Sequence, residues 1–283
     1  MNGKELALIA NNARQEVIST LVESKSGHTA GPLGMADVFT VLYYDWIKVD
    51  PAHPEWPERD YVFLSNGHIC PIWYVTLANK GFFPKEHLQS FRKINSLLQG
   101  HPHNEGIPGI ENSGGPLAQG LSQAVGAALA LKRDGKKNRV FCLCSDGEHQ
   151  EGQAWEAAML AGNNKLGNLC CIMDRNNIQI DGYTTDIMDI EPLRKKYESF
   201  KWHVIEVDGH RIKQLKKALI QAGNVQDRPT MIIAKTIPGK GVSFMEGKFE
   251  WHGKPPSPEQ GEKALKELKE ERARISAKRW TSW

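Results

Sequence analysis

The sequence predicts a doubly wound α/β fold, with a mostly parallel sheet and helices on both of its faces. Strand-like and helix-like segments alternate along most of the 283 residues, which is the pattern of α/β proteins. The strand-like segments are continuously apolar, as expected when both faces of a parallel sheet are covered. No internal repeat or low-complexity linker divides the chain. We therefore predict one domain over residues 1–256 and a charged helical tail over residues 257–283.

The N-terminal elements begin with a helix over residues 5–23, where apolar side chains recur at helical spacing. The glycines and the proline of residues 24–34 predict a loop, because neither residue type continues a helix well. A second helix is expected over residues 34–47. A short buried strand over residues 60–68 and a helix over residues 71–81 complete the first strand–turn–helix unit.

The remainder of the chain repeats this unit. A Gly-rich loop leads into an Ala-rich helix within residues 114–135. Residues 238–260 form the longest irregular stretch, and long ordered loops are often functional. Four further strands are predicted at residues 138–147, 168–177, 202–209 and 230–236. Helices are predicted between them at residues 152–166, 191–200 and 212–223.

Composition and charge describe a globular chain. Hydrophobic residues make up 40% and charged residues 24% of the sequence, which excludes a disordered or fibrous protein. The formal net charge of +3 comes with no basic stripe interleaved with aromatic residues, so we expect no nucleic-acid partner. The polar N-terminus and the lack of a long apolar run predict neither a signal peptide nor a membrane span. Five cysteines without a C-x-x-C pair favour a cytoplasmic location.

Polar side chains follow the predicted strands at the point where each strand ends. In an open parallel sheet, ligands bind beyond the carboxyl ends of the strands. Asp146 and Asn176 end consecutive strand–helix units, which places a carboxylate and an amide oxygen in neighbouring loops. Such oxygens suit Mg²⁺ or Ca²⁺, and Mg²⁺ often completes its coordination shell with phosphate oxygens. Gly147 permits close backbone approach just before a helix, whose free N–H groups attract anions. These residues predict a metal-bound diphosphate.

Ordinary structural interpretations compete with this one. Asp-Gly after a strand and Asn-Asn in a loop are routine turns, and either motif alone is more often structural than catalytic. A zinc pair at His101 and His103 is a further alternative, although no soft ligands lie near these residues in the sequence. The combination of Asp146, Gly147 and Asn176 within one α/β frame favours the metal diphosphate.

The segment "SDGEHQEGQAWEA…LAGNNKLGNLCCIMDRNNIQIDG" resembles the thiamine-diphosphate fingerprint, Gly-Asp-Gly and a distant Asn, in the form found in transketolases. Other segments are similar to the family's cofactor and substrate loops, in the family's order. They are "SGHTAGPLG", "FLSNGHICPIWYVTLANKG", "QGHPHNEGIPGIENSGGPLAQGLSQAVGAALA" and "WHGKPP". The resemblance covers residues 15–256 and implies the thiamine-diphosphate-binding fold of the diphosphate-binding (PP) type.

The resemblance implies a metal and diphosphate site. Mg²⁺, for which Ca²⁺ or Mn²⁺ could substitute, would be held on thiamine diphosphate by Asp146, the Asn176 side chain and the Ile178 carbonyl oxygen. Gly147 would donate its backbone N–H to the diphosphate. Asn176 would thus contact both the metal and the cofactor.

Two further groups of residues are implied by the resemblance. Imidazoles would relay protons and orient sugar hydroxyls, as catalytic histidines commonly do. His28, His68 and His252 would line the cofactor and the donor substrate, His68 and His252 also binding the cofactor, and His101 would meet a substrate hydroxyl. The rings of the cofactor would rest against Gly115, Pro116, Leu117 and Ile180.

Two departures from the family pattern affect the same loops. Ser145 stands in place of the first glycine of Gly-Asp-Gly, and Ala118 stands in place of a glycine in the family's "GPLGQG". A small side chain is tolerated at such a position unless the backbone needs a positive φ. We expect donor preference or cofactor affinity to differ from that of a housekeeping transketolase.

The resemblance covers only the diphosphate-binding half of a transketolase. A full transketolase continues with a pyrimidine-binding domain and a C-terminal domain, so we expect a separately encoded C-terminal subunit to supply them, in an α2β2 assembly. Glu151 matches a family glutamate near the contact between halves and is implied to take part in catalysis there. The implied reaction transfers a two-carbon ketol unit from a ketose or ketose phosphate to an aldose, as in the pentose phosphate pathway.

Two alternatives remain open. In the first, the chain is a subunit of another thiamine-diphosphate enzyme, similar to 1-deoxyxylulose-5-phosphate synthase or to a 2-oxoacid dehydrogenase. The segments "GHPHNEGIPGIENSGGPLAQG" and "WHGKPP" favour a transketolase over this alternative. In the second, the chain is a catalytically silent assembly subunit whose fold serves another purpose. The presence of Asp146, Asn176 and the four histidines argues against the silent subunit.

Overall fold

The computed structural model describes residues 1–278 and residue 280. Its centre is a five-stranded sheet in which every pair of neighbouring strands runs parallel. A short antiparallel hairpin lies outside this sheet. The elements in chain order are α1 (Gly3–Ser24), α2 (Ala30–Val41), β1 (Tyr61–Leu64), α3 (Cys70–Lys80), α4 (Gln119–Arg133), β2 (Val140–Ser145), α5 (Gly152–Asn163), β3 (Leu169–Arg175), β4 (Ile178–Gln179), β5 (Gly182–Tyr183), α6 (Thr184–Ile187), α7 (Leu193–Ser199), β6 (His203–Asp208), α8 (Ile212–Asn224), β7 (Thr230–Lys235) and α9 (Pro258–Ala277).

The strands of the main sheet are arranged in the order β1-β2-β3-β7-β6. β1, at one edge, is only four residues long. At the opposite edge, Glu206 of β6 lies 3.5 Å from the Lys235 ammonium and 3.9 Å from the Arg194 guanidinium. All five strands were predicted from their apolar runs, and their parallel pairing confirms the predicted sheet.

Helices cover both faces of the sheet. Successive side chains of a strand point to opposite faces, and the structure contains two separate apolar cores. Leu143 and Ile172 pack with α1, α2, α3, α8 and α9 on one face. Cys142 and Met173 pack with α4, α5 and α7 on the other face. The doubly wound fold is therefore confirmed.

The prediction of a loop over residues 24–34 is wrong in its second half, because α2 already begins at Ala30. Gly31 and Pro32 lie in the first helical turn, where backbone N–H groups have no partner within the helix in any case. Pro32 therefore removes no helical hydrogen bond there. The helix ends in a π-helical turn over Leu42–Trp46, close to the predicted end at residue 47.

The C-terminal helix α9 packs along α1. Ala264 and Leu268 are fully buried in the first core, and the Asn11 side-chain amide donates to the Leu268 carbonyl at 3.1 Å. The domain boundary after residue 256 stays a prediction, and residues 279 and 281–283 of the predicted tail lie outside the described residues. No helix in the described part of the chain is long and apolar enough to cross a bilayer.

A buried ion cluster joins α1 and α2 to the loops that follow β6 and β7. The Arg14 guanidinium and His210 Nδ1, the latter at 2.9 Å, both contact the Asp37 carboxylate. His210 Nε2 accepts the backbone N–H of Ile237 at 2.8 Å. Burial alone would raise the pKa of Asp37, but Arg14 and His210 outweigh it and lower that pKa to about 2. Asp37 is therefore charged at neutral pH and neutralises Arg14.

We expect Asp37→Asn to lower the free energy of unfolding by about 3 kcal/mol, because removing one partner of a buried pair leaves the other charge uncompensated. Urea unfolding at pH 7 measures the change. The matched control is Asp227→Asn, which removes an exposed partner of Arg228 and should leave the unfolding midpoint unchanged. Equal midpoints for the two variants would show that the cluster contributes nothing to stability.

Candidate active site at the carboxyl edge of the sheet

The predicted site residues lie mainly in the loops that follow the strands. His68 lies in a 3₁₀ turn after β1, Asp146 directly follows β2, and Asn176 directly follows β3. Because these strands are parallel neighbours, all three loops emerge at one edge of the sheet. His28, before α2, and His252, after a turn at Phe249–Trp251, complete the site from distant parts of the chain.

Four imidazoles form a cluster at this edge. The ring centroid of His28 lies 5.0 Å from that of His68, 5.5 Å from that of His252 and 6.4 Å from that of His101. The rings of His68 and His252 are 4.9 Å apart. The structure therefore brings together all four histidines that the resemblance to transketolases singled out.

Several buried polar atoms next to this cluster have no hydrogen-bond partner among the described residues. They are His28 Nδ1 and both the Nδ2 and the Oδ1 atoms of Asn66, two residues before His68. Buried polar groups in native proteins are rarely left unpaired. The absence of partners for these atoms among the described residues indicates that this part of the crevice is shaped for a polar ligand.

The imidazoles are held in their neutral form. Burial lowers the pKa of His28 to about 3, and the neighbouring His252, Arg92 and His101 add to the effect. Burial lowers the pKa of His252 to about 4. Burial and the surrounding imidazoles place the pKa of His68 well below its ordinary value. Neutral imidazoles can accept protons and can both donate and accept hydrogen bonds.

The predicted metal ligands also meet. Asp146 is fully buried, and its Oδ2 accepts the backbone N–H of Asn177 at 2.6 Å. A Cβ atom added to Gly147 would lie 3.6 Å from the Ile178 carbonyl oxygen, so the two loops touch at this point. Asn176 Oδ1 accepts the Ile178 N–H at 3.0 Å, while its Nδ2 donates to Asp174 at 2.8 Å. The loops that carry the carboxylate, the amide oxygen and the carbonyl oxygen are thus in contact.

This donor set fits a divalent cation. All three donors are hard oxygen atoms of the kind that Mg²⁺ and Ca²⁺ prefer. Burial raises the pKa of Asp146 to about 6, despite the opposing Arg175, whose Nη1 lies 2.6 Å from its Oδ2. Burial also raises the pKa of Asp174 to about 7, and repulsion from Asp146 contributes. One guanidinium therefore does not fully compensate the two buried carboxyls, and additional positive charge would be favourable here.

The segment from Ile178 to Ile180, which begins with β4, links the oxygen donors to the imidazole cluster. Ile178 lies at the oxygen donors, whereas Ile180 and His28 both come within 4 Å of the position that a Cβ on Gly253 would take. The ring of His101 lies 4.0 Å from the position that a Cβ atom on Gly115 would take. Leu117 and Ile180 are 37% and 65% exposed, so both present apolar surface to solvent.

Pro116 is exposed in the same loop, and Glu151 stands apart from both groups. Glu151 is exposed at the N-cap position of α5. Met159 and Leu160, in the second half of the same helix, are exposed as well. His103, half of the alternative zinc pair, is exposed and accepts the Glu105 N–H through Nδ1 at 3.4 Å. The roles predicted for Pro116 and Glu151 stay predictions.

The two departures from the family pattern differ in their backbone. Ser145 ends β2 and does not have a positive φ, so the missing glycine costs no strain there. Ala118 has a φ of 63° and a ψ of −8°, in the left-handed region that favours glycine. The substitution at Ala118 is therefore the one that strains the loop.

Sequence reasoning missed two residues that shape this crevice. Arg175 pairs with Asp146, and Glu148 accepts hydrogen bonds from three segments. Each lies within two residues of a position that was singled out. That proximity was the available signal, but it does not reveal which way a side chain points.

Known proteins share this architecture. Residues 6–273 match the family model of the transketolase thiamine diphosphate binding domain. The 6-deoxy-6-sulfo-D-fructose transketolase subunit of Clostridium sp. (strain MSTE9) is 41% identical over 264 residues, covering 93% of this chain and 96% of that protein. An apulose-4-phosphate transketolase subunit of Phocaeicola vulgatus is 37% identical over 270 residues, covering 95% of this chain and 96% of that protein.

Solved structures agree with these matches. Transketolase from Campylobacter jejuni superposes with a TM-score of 0.89 at 35% identity over 96% of this chain. Transketolase from Leishmania mexicana gives a TM-score of 0.87 at 32% identity over 100% of this chain. The chain spans 43% of each of these longer proteins, whereas it matches nearly the full length of the two subunits. The chain therefore belongs to the transketolase family of transferases and contains its thiamine diphosphate binding domain.

Proposed function

We propose that this chain is the diphosphate-binding subunit of a two-subunit transketolase, which transfers a two-carbon ketol unit from a ketose or ketose phosphate to an aldose. The observation that carries the proposal is the cluster of four imidazoles at the same edge of the sheet as the oxygen donors of Asp146, Asn176 and Ile178. Oxygen donors suit a metal-bound diphosphate, and imidazoles suit a polyhydroxylated substrate.

The oxygen donors would hold the cofactor's metal. Asp146, the Asn176 amide oxygen and the Ile178 carbonyl would bind Mg²⁺, or Ca²⁺ or Mn²⁺ in its place. The Gly147 N–H donates to Asp146 Oδ1 at 2.8 Å in this structure, so it would have to leave that oxygen to donate to the diphosphate. Arg175 would remain beside Asp146 as a fixed positive charge. When bound, thiamine diphosphate supplies the carbon nucleophile and the electron sink of ketol transfer.

The imidazoles would act on the substrate. His28, His68 and His252 are neutral, so the unprotonated nitrogen of each ring is free to accept a proton from a sugar hydroxyl and later to return it. His101, whose ring lies near Gly115, would orient a further hydroxyl. The 115–117 loop and Ile180 supply apolar surface for the rings of the cofactor.

A partner subunit completes this proposal. The two similar subunits are about as long as this chain, whereas the two solved transketolases are more than twice as long. We infer a C-terminal subunit that carries the pyrimidine-binding domain, in an α2β2 assembly with Glu151 near the contact. All five cysteines of the chain are free, which fits a cytoplasmic enzyme.

The substrates we propose are sugars with an anionic group. One similar subunit is named for 6-deoxy-6-sulfo-D-fructose and another for apulose-4-phosphate. Both names describe a sugar that carries a sulfo or phosphate group. We therefore propose a sugar phosphate or a sulfo sugar as the donor for this chain.

We expect Asp146→Asn to weaken binding of thiamine diphosphate in the presence of Mg²⁺ by more than about 100-fold, because losing even an outer-shell partner of a metal can cost that much. Calorimetry on the complex with the partner subunit measures the affinity. Asp186→Asn, which changes an exposed acid of α6, is the control and should bind normally. Unchanged affinity in Asp146→Asn would remove Asp146 from the metal site.

We expect the isolated chain to bind the cofactor weakly and to transfer no ketol group, since the pyrimidine-binding domain is proposed to come from the partner. The measurement is glycolaldehyde transfer from a ketose, with each chain alone and with both mixed. Rapid transfer by the isolated chain would refute the two-subunit proposal. Decarboxylation of pyruvate by the mixed chains, without ketol transfer, would instead favour another thiamine-diphosphate enzyme.

We expect His28 and His252 to stay neutral at pH 5, because their pKa values in the folded protein are lowered to about 3 and about 4. An unperturbed imidazole, with a pKa of about 6.5, is almost fully charged at that pH. Imidazole ¹⁵N chemical shifts, assigned with His28→Asn and His252→Asn, report the charge of each ring. Charged rings at pH 5 would contradict the neutral cluster.

A further inference from the structure

Glu148 is a buried carboxyl that has no role in the proposed chemistry. It lies in the 3₁₀ turn after Asp146 and is fully buried. Its Oε1 accepts the Ser65 hydroxyl and the Ala118 backbone N–H, the latter at 3.2 Å. Its Oε2 accepts the backbone N–H of Ser145 at 2.8 Å and the Ser145 hydroxyl at 3.2 Å. One side chain therefore binds three separate segments of the chain.

These segments converge on the loop beneath the crevice. Ser65 follows β1, and its hydroxyl oxygen also accepts the backbone N–H of Leu121 at 3.1 Å in the first turn of α4. A Cβ atom added to Gly120 would lie 2.5 Å from the Ser65 Cα, so α4 begins in direct contact with the end of β1. The start of α4 has no room to shift towards β1.

Ala118 is the strained member of this group. Its φ of 63° places it in the left-handed region, which disfavours a residue with a Cβ atom. Its N–H is held by Glu148, and residues 115–117 immediately precede it. The hydrogen bond from the Ala118 N–H to the fully buried Glu148 side chain stabilises the turn in this left-handed conformation.

We propose that Glu148 is a positioning residue, which clamps the left-handed turn at Ala118 and thereby fixes the 115–117 loop as the surface on which thiamine diphosphate rests. The inference depends on the proposed function for the identity of the ligand. Ser145 takes part in the same hydrogen-bond network, because its hydroxyl donates to the Glu148 carboxylate, which also accepts the Ala118 N–H.

The substitution Glu148→Gln tests this clamp directly. The carboxylate presents an acceptor to the Ala118 N–H on one side and to the Ser145 N–H on the other. An amide has only one oxygen atom, so in Glu148→Gln one of these two donors must face the amide NH₂ group. The size of the side chain is unchanged, so packing is preserved while one end of the clamp is lost.

The experiment measures the affinity for thiamine diphosphate with Mg²⁺ by calorimetry on the complex with the partner subunit. We expect Glu148→Gln to bind roughly ten-fold more weakly, because loss of one buried hydrogen bond lets the 115–117 loop leave its binding conformation in the free protein, and cofactor binding must then restore it. Ala118→Gly removes the strain that the clamp opposes. In the Glu148→Gln background, Ala118→Gly should raise the affinity for thiamine diphosphate roughly five-fold. In the wild-type background, it should change this affinity by less than about two-fold.

Asp37→Asn is the matched control, because it also converts a buried carboxyl into an amide, in the cluster with Arg14 and His210. It should lower the unfolding midpoint and leave cofactor affinity unchanged, both with and without Ala118→Gly. A purely structural role for Glu148 predicts this same behaviour for Glu148→Gln. Normal affinity in Glu148→Gln, or no rescue by Ala118→Gly, would therefore overturn the proposal.

A second variant covers the case in which Glu148→Gln does not fold. Ser65→Ala removes one hydroxyl between Glu148 and Leu121 and should weaken cofactor binding in the same direction, with the same rescue by Ala118→Gly. Failure of the wild-type complex to bind thiamine diphosphate would refute the proposed function itself. Binding by wild type together with unimpaired binding by both variants would refute only the clamp.

Discussion

Parallel pairing of the central strands is the constraint on which the site depends. The carboxyl ends of β1, β2, β3 and β7 lie side by side, so the residues that follow them emerge at one edge. Helices on both faces keep the sheet itself apolar, and polar groups are costly to bury unless they are paired. Function is therefore restricted to this edge, where segments as distant as those of His28 and His252 converge on His68.

Burial acts in opposite directions on the two halves of the crevice. It lowers the pKa of the imidazoles, so that they are neutral, and raises the pKa of Asp146 and Asp174, so that a cation beside them is favourable. Arg175 supplies part of that positive charge from within the chain. A ligand with a metal at one end and hydroxyls at the other matches this division.

The sequence predicted the fold well, because continuous apolar runs and the turns between them are local signals. The start of α2 was missed, since Gly31 and Pro32 indicate a loop unless their position in the first turn is known. The two-residue strands β4 and β5 are too short to leave a pattern.

Within the site, Asp146 and Asn176 could be predicted from their places after two strands. The contacts of Arg175 and Glu148 could not, because they depend on how three loops fold against each other. The two family glycines that are absent looked equivalent in the sequence. Only backbone geometry separates Ser145, in an ordinary strand, from Ala118, in a strained turn.

The two edges of the sheet affect how the protein behaves at high concentration. An open sheet leaves unpaired N–H and C=O groups along its outer strands, and another molecule can add a strand there. β1 is only four residues long, and the Asn112 side chain already pairs with the N–H and the C=O of its last residue, Leu64. β6 carries Glu206 between Lys235 and Arg194. A short edge and a charged edge both discourage strand addition, so the open sheet is protected against edge-to-edge aggregation.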